Sequence, residues 1–472
     1  MSHTIRADYS QRWLLPPSLE DWLPPQHPAR FVRDLVESLD LGILGFRESA
    51  LGEDGRPHYA SEMLLSIWLY GWMERIRSSR ALEKACLRDV AFLWLTGNNH
   101  PDHNTLWRFF RDNKPALRKL FKRVVQVAAE SGLVGFALHA LDGTKIKAAS
   151  SMETALHRKA LQEELKKLDQ TVETSMASTE VAEQHEDASY AMPPAMQDPS
   201  ERKRSIQKAL AELDAAETNH MHPREPEARA MKMRGGGPTL AFNAQAVVDH
   251  DSDLVVAANV SDDQTDHTQL VPMVQDVLET LGEVAEQTVA DAGYASGEQF
   301  EEAERRHLPV LVNVQEESST KGEFAKSRFD YEAERDVYIC PRGEVLPFER
   351  IEPPSKDKPA PRRVYRCHNL ECPVRAQCTS DKKGRTIKRL PTEDAFVRQV
   401  RRQSTPAMQR LMGLRKEIVE HIFGIAKTID GFVRFTARGL ENARTQWALV
   451  CTAINLRKLL PAWRTGRLLL RT

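Results

Sequence analysis

Three acids in the chain stand in settings that could do chemistry. Asp142 closes an apolar run, Val134 to Leu141, and is followed by Gly143, Lys145 and Lys147. Asp291 closes a second short run, Thr288-Val289-Ala290, and is followed by Ala292-Gly293-Tyr294. Glu420 lies in an amphipathic stretch, with Arg415 and Lys416 about one turn before it and Lys427 about two turns after it. Acids held at the ends of buried strands are fixed by the scaffold beneath them. With a third acid they could share two divalent ions, about 3.5–4 Å apart, that activate an attacking oxygen and stabilise a leaving one. Mg²⁺ (or Mn²⁺) suits such oxygen ligands. Each acid also has a plainer reading. Asp-Gly is a common turn dipeptide. Glu420 can pair with Lys416 or Lys427, and Glu417 competes with it for the site.

A second constellation is sulfur. Cys340, Cys367, Cys372 and Cys378 fall within 39 residues, in a basic stretch punctuated by Pro341 and Gly343. Four such thiols can hold a structural Zn²⁺ in a small ribbon. Their spacing is irregular, His368 offers a spare ligand, and unliganded thiols in a basic loop are the alternative. Cys86 and Cys451 sit in apolar helical contexts and read as core.

The elements that must position these residues follow from periodicity. Residues 1–130 read as short helices, including one over Asp102–Arg111 that displays Arg108 and Arg111. That order is compatible with a helix-turn-helix DNA-binding domain and equally with a plain helical bundle. Residues 131–150 and 234–315 give a strand ending at Asp142, a hairpin (Thr239–Asp249, Leu254–Val260), and a helix over Thr268–Leu281. A strand ending at Asp291, a helix over Glu298–Arg306 and a strand over Pro309–Val314 complete them. Gly143 reads as a tight turn. Residues 151–233 form a helical insertion with a flexible tip at 175–200, and 316–392 a basic, zinc-ribbon-like insertion. Residues 393–472 supply helices completing the core, the last of them packed on the sheet. The fold class expected is α/β: an RNase H-like mixed sheet with helices on both faces, preceded by an all-α domain.

Composition narrows the class further. No run of about 18 apolar residues exists, so no membrane span is expected. The start of the chain lacks the pattern of a secretory signal, and a cytoplasmic location is expected. The formal net charge of −1 conceals segregation: residues 401–472 hold 14 Lys/Arg against 4 Asp/Glu, whereas 251–335 hold 6 against 20. Basic segments of that size suit phosphate contact, and the acidic one suits a cation site or solvated helices.

Taken together, Leu141-Asp142-Gly143-Thr144-Lys145, Phe242-Asn243-Ala244-Gln245, Ala290-Asp291-Ala292-Gly293-Tyr294 and Val419-Glu420-His421-Ile422-Phe423-Gly424 resemble the DDE transposases of bacterial insertion sequences. Arg438-Gly439-Leu440 and Asn455-Leu456-Arg457 look like that family's C-terminal helices. The resemblance implies a DNA strand transferase with Asp142, Asp291 and Glu420 as its Mg²⁺-binding triad. It further implies double-stranded DNA partners (terminal inverted repeats and target), a homodimer on paired ends, and nucleoid association when bound. Lys145, Lys147, Arg108, Arg111, Arg415, Lys416 and Lys427 become candidate DNA contacts. In the family the third acid often lies in Tyr-x2-Arg-x3-Glu-x6-Lys. Here Glu420 and Lys427 keep the spacing, Lys416 replaces the Arg, Gly413 replaces the Tyr, and Asn369 stands where relatives often carry another Cys. A metal-dependent nuclease without strand transfer and a catalytically silent DNA-binding descendant are the alternatives.

Overall fold

The computed structural model describes residues 18–47, 58–182, 199–215, 218–233, 235–314, 322–355 and 360–470. The chain divides into two compact units, residues 1–133 with 444–472, and residues 134–443.

The first unit is helical: α1 (Pro28–Glu37), α2 (Leu41–Leu44), α3 (Ser61–Met73), α4 (Ser79–Arg88), α5 (Val90–Leu95), α6 (His103–Asp112) and α7 (Lys114–Glu130). Its helix starts follow capping rules. Pro28 opens α1, and Ser78, Asp89 and Asp102 accept backbone N–H groups at the starts of α4, α5 and α6. The α3 segment is buried nearly all round, as its unbroken apolar run requires. The closing helix was expected on the sheet, but residues 444–472 belong to this helical unit. Arg457 Nη1 donates to the Met73 carbonyl at 2.9 Å, and Trp463 Nε1 to Asp34 Oδ2 at 3.2 Å. The apolar face of that helix is equally suited to a helical partner, so amphipathicity alone did not choose one.

The second unit is built on a mixed six-stranded sheet. Its strands are β1 (Leu138–Lys147), β4 (Arg229–Lys232), β5 (Pro238–Asp249), β6 (Val255–Ser261), β7 (Gln287–Ala290) and β8 (Val310–Val312). The order is β4-β5-β1-β7-β8, with β6 also paired to β5. The hairpin partners are antiparallel and β1-β7-β8 are parallel. The alternating and continuous apolar runs read in the sequence thus lie within a few residues of the observed strands. α10 (Leu270–Leu281), α11 (Gly297–Arg305), α13 (Glu393–Gln403) and α14 (Pro406–Gly424) follow; α10 packs on β5 and β6, α13 on β8, and α14 on β1, β5 and β7.

Two features of this unit differ from expectation. β1 does not end at Asp142: it runs through Gly143 to Lys147, with Asp142 opposite Ala246 and Gly143 opposite Gln245 on β5. The Asp-Gly pair is therefore extended strand, held by a long antiparallel partner, and not a turn. The first insertion carries a short pairing of β2 (Leu156–His157) with β3 (His220–Met221), and two long helices, α8 (Arg158–Ala182) and α9 (Pro199–Ala215). Helix α8 extends through the first part of the 175–200 stretch expected to be a flexible tip, while 183–198 lie outside the described residues.

The cysteine-bearing segment folds as an antiparallel meander, β9 (Asp330–Glu332), β10 (Val337–Ile339), β11 (Val345–Glu352), β12 (Arg362–Arg366) and β13 (Thr386–Arg389), with the short helix α12 (Arg375–Cys378). It has its own core of Phe329, Tyr338, Leu346, Tyr365 and Ile387, against which Cys340, Cys367 and Cys378 pack. Helix α15 (Leu440–Arg464) closes the fold.

Candidate active site

Asp142 and Asp291 are brought together by strand register. β1 and β7 run parallel with Leu141 opposite Ala290, so each acid is the next residue on neighbouring strands, which lie about 4.8 Å apart. Asp142 Oδ1 accepts the Gly143 N–H at 2.8 Å, and Oδ2 accepts Arg415 Nη1 from α14 at 2.9 Å. Both partners are largely enclosed, with side chains 15% and 18% exposed for Arg415 and Asp142. Burial pushes the Asp142 carboxyl up to about 6; Arg415 opposes this, and the nearby Asp291 charge adds to it. Asp291 Oδ1 accepts the Gly293 N–H at 2.8 Å, capping the single tight turn Ala292–Tyr294.

A third aspartate reaches the same place from the loop before α10. Asp266 Oδ1 accepts Asn243 Nδ2 at 2.7 Å and Gln245 Nε2 at 2.6 Å. The Tyr294 hydroxyl donates to Gln245 Oε1. Gln245 and Tyr294 are fully buried and Asn243 nearly so. Burial, and then the charges of Asp266, Asp142 and Asp291, hold the Tyr294 phenol well above its ordinary range. Asp266 precedes the helix expected over Thr268–Leu281 and is not among the candidate acids read from the sequence. The signal that could have found this group is Asn243-Ala244-Gln245, two polar side chains two residues apart, on one face of an otherwise apolar strand.

Helix α14 divides the remaining candidates. Arg415 turns inward to Asp142. Glu420 is exposed on α14 and forms an ion pair with Lys416 at 3.9 Å. Among the described residues no group of three or more His, Cys, Asp or Glu side chains is arranged to hold a metal ion. The inward helical positions are taken by Ile418, Val419 and Ile422, and Glu420 lies off that face. Lys427 was expected on the side of Glu420 by regular helical spacing. Instead the helix widens into a π-helical turn, Ile425–Ile429, and Lys427 Nζ donates to the Lys145 carbonyl at 3.0 Å. Burial pushes its pKa down.

Lys145 and Lys147 are half-buried on β1, and the Lys147 backbone pairs with the segment Val433–Phe435. In the helical unit, Arg108 and Arg111 are exposed on α6, beside an exposed Trp107; Arg111 is paired with Asp112 at 2.6 Å. The four cysteines of the meander are free thiols. Cys340 Sγ accepts the N–H groups of Arg342 and Glu344, each at 3.3 Å. Burial, with Cys340 and Cys372 nearby, raises the Cys367 and Cys378 thiols. Cys340, Cys367 and Cys378 pack on the aromatic core, and the four thiols lie close enough to act on one another's ionisation.

The mixed sheet thus presents Asp142 on β1 and Asp291 just past the end of β7, with a guanidinium from α14 on the first. Two family models match the chain: Transposase domain (DUF772) over residues 17–112, and Transposase DDE domain over residues 339–460. Both matches are to transposase family models, and together they indicate a DDE transposase of an insertion element. The second match contains the meander's cysteines and α14 with Arg415 and Glu420, and begins after Asp142 and Asp291. No curated protein matches the chain.

Proposed function

We propose that the protein cleaves the ends of its insertion element and joins them to target DNA, with Asp142 and Asp291 at the reacting phosphodiester. The observation that carries this reading is the register of β1 and β7, which sets the two acids side by side within a chain of transposase family. In the proposed chemistry, water attacks a phosphodiester at the element end and frees a 3′-OH. That 3′-OH then attacks a target phosphodiester and displaces a 3′-oxygen, with no protein-bound intermediate.

A divalent cation would supply charge neutralisation to such a reaction. The side chains as they stand do not form its ligand set, because Arg415 takes Asp142 Oδ2 and Glu420 is exposed. What the chain's own groups offer is definite. Arg415 uses one donor on Asp142, and its remaining donors suit phosphate oxygens. Lys145 and Lys147 lie on the strand that carries Asp142, at odd spacings that turn their side chains to its other face, and are kept as DNA contacts on the family resemblance. Glu420 is retained as the third acid on the family resemblance. The exposed face of α6, with Arg108, is the proposed DNA-backbone contact of the helical unit, and a homodimer on paired ends is the proposed working form.

The test is incubation of the full chain with linear duplex carrying both native flanks of its gene, plus a target plasmid. The reading expects new 3′-OH ends at a pair of inverted repeats, followed by their joining to the plasmid. Cleavage without joining would favour a nuclease, and neither product would favour a silent DNA-binding descendant.

A further inference from the structure

The site contains a buried polar chain that the proposed reaction does not use, and two glycines that make room for it. Asp266 ionised can only accept hydrogen bonds, so the amide it faces on Gln245 must be the NH2 end. That fixes the amide's orientation and points Oε1 at Tyr294, whose hydroxyl must therefore donate. Asn243 Nδ2 adds a second donor to the same Asp266 oxygen. The chain runs from the turn behind Asp291, through β5, to the loop before α10. A Cβ on Gly143 would lie 2.4 Å from Gln245 Nε2 and 2.6 Å from Asp266 Oδ1. One on Gly293 would lie 2.9 Å from Asp291 Oδ1 and 3.3 Å from Asp266 Oδ2. Gly143 is ordinary extended strand, so no turn requires a glycine there; the clearance for Gln245 and Asp266 does.

We infer that Asp266, Gln245 and Tyr294 are positioning residues: an internal brace that fixes the Asp291 turn against the strands carrying Asp142. Asp266 acts as the anchor that accepts both amides, and its negative charge is not itself required at the reacting phosphate. The inference rests on the reading that Asp142 and Asp291 serve DNA cleavage. It differs from simple membership of an acidic cluster in what it demands of each atom. An amide at position 266 keeps the accepting oxygen and should serve; a methyl should not.

The experiment compares D266N, D266A, Y294F and G143A in the full chain, by cleavage of the native gene flanks and by hydrogen exchange over Ala290–Tyr294. D266N should cleave within about threefold of wild type. D266A and Y294F should slow cleavage at saturating DNA by about tenfold or more, the loss expected for a broken buried hydrogen bond to a charged group or its relay. The DNA concentration for half-saturation should stay within about twofold, as for a group acting after binding. D266A and Y294F should also speed exchange of the Gly293 and Tyr294 amides by about tenfold, with D266N close to wild type. G143A should behave like D266A, yet add little to it in the double variant, because the two changes disrupt one contact. D266N as inactive as D266A would overturn the proposal, since the charge would then be needed directly. D266A with wild-type exchange and cleavage would overturn it too. If wild type leaves the flanks uncut, the transposase reading fails and the exchange measurements alone decide the brace.

Discussion

Replacing Asp142 by Asn should make the protein more stable at neutral pH, while removing a proposed catalytic group. The carboxyl is raised from the ordinary aspartate value of 3.8 to about 6 by burial, against the pull of Arg415. A folded-state value above the unfolded one means that the folded chain binds the proton more tightly. The stabilisation this gives is complete below about 3.8 and is lost as pH rises through about 6. A rise of about two units corresponds to about 3 kcal/mol, an order-of-magnitude upper figure for a partly enclosed group. The asparagine side chain mimics the protonated carboxyl, so the Asp142→Asn variant keeps that stabilisation at pH values around 7.5. At about 2 °C per kcal/mol for a large domain, its melting temperature should exceed wild type by about 5 °C. Calorimetry of both proteins from about pH 4 to 8 checks this: the difference should vanish near the acid end and grow through pH 6. A variant less stable than wild type above neutrality, or a difference independent of pH, would refute the reasoning.

Glu420→Gln should leave the melting temperature within about 1 °C, as for an exposed substitution, and yet abolish end cleavage if the third acid is the one the resemblance names; wild-type cleavage would remove Glu420 from the site. Arg108→Ala should weaken binding of duplex DNA regardless of sequence and reduce the slope of log affinity against log salt by about one, read from titrations at several salt concentrations. An unchanged slope would place the DNA-backbone contact elsewhere.

The mixed sheet was legible because its strands are short apolar runs of the expected length, and Asp142 and Asp291 were legible because each follows such a run. What strand pairing decides was not. Nothing local to Asp142-Gly143 says that twelve residues of β5 (Pro238–Asp249) will carry the strand past the pair, so the commonest use of Asp-Gly, a turn, misled. Lys427 was placed by a constant helical period, which the π-helical turn at Ile425–Ile429 interrupts. The last helix carries an apolar face but no label for its partner, and it joins the helical unit. Asp266 was missed because its meaning lies in Asn243, Gln245 and Tyr294, residues distant in sequence that meet only when β5, β7 and the α10 loop are assembled. The cysteine spacing suggested a zinc ligand set but not the core of aromatic residues, Leu346 and Ile387 on which three of those thiols pack.

The most direct test of the central claim is cleavage of the native gene flanks by wild type, Asp142→Asn and Asp291→Asn, with DNA binding measured in parallel on the same duplex. The account predicts that wild type generates 3′-OH ends at the repeats. Both variants should bind the duplex within about threefold of wild type but lose cleavage by about a hundredfold or more, as expected for groups acting in the transition state. Either variant cutting at the wild-type rate would contradict it.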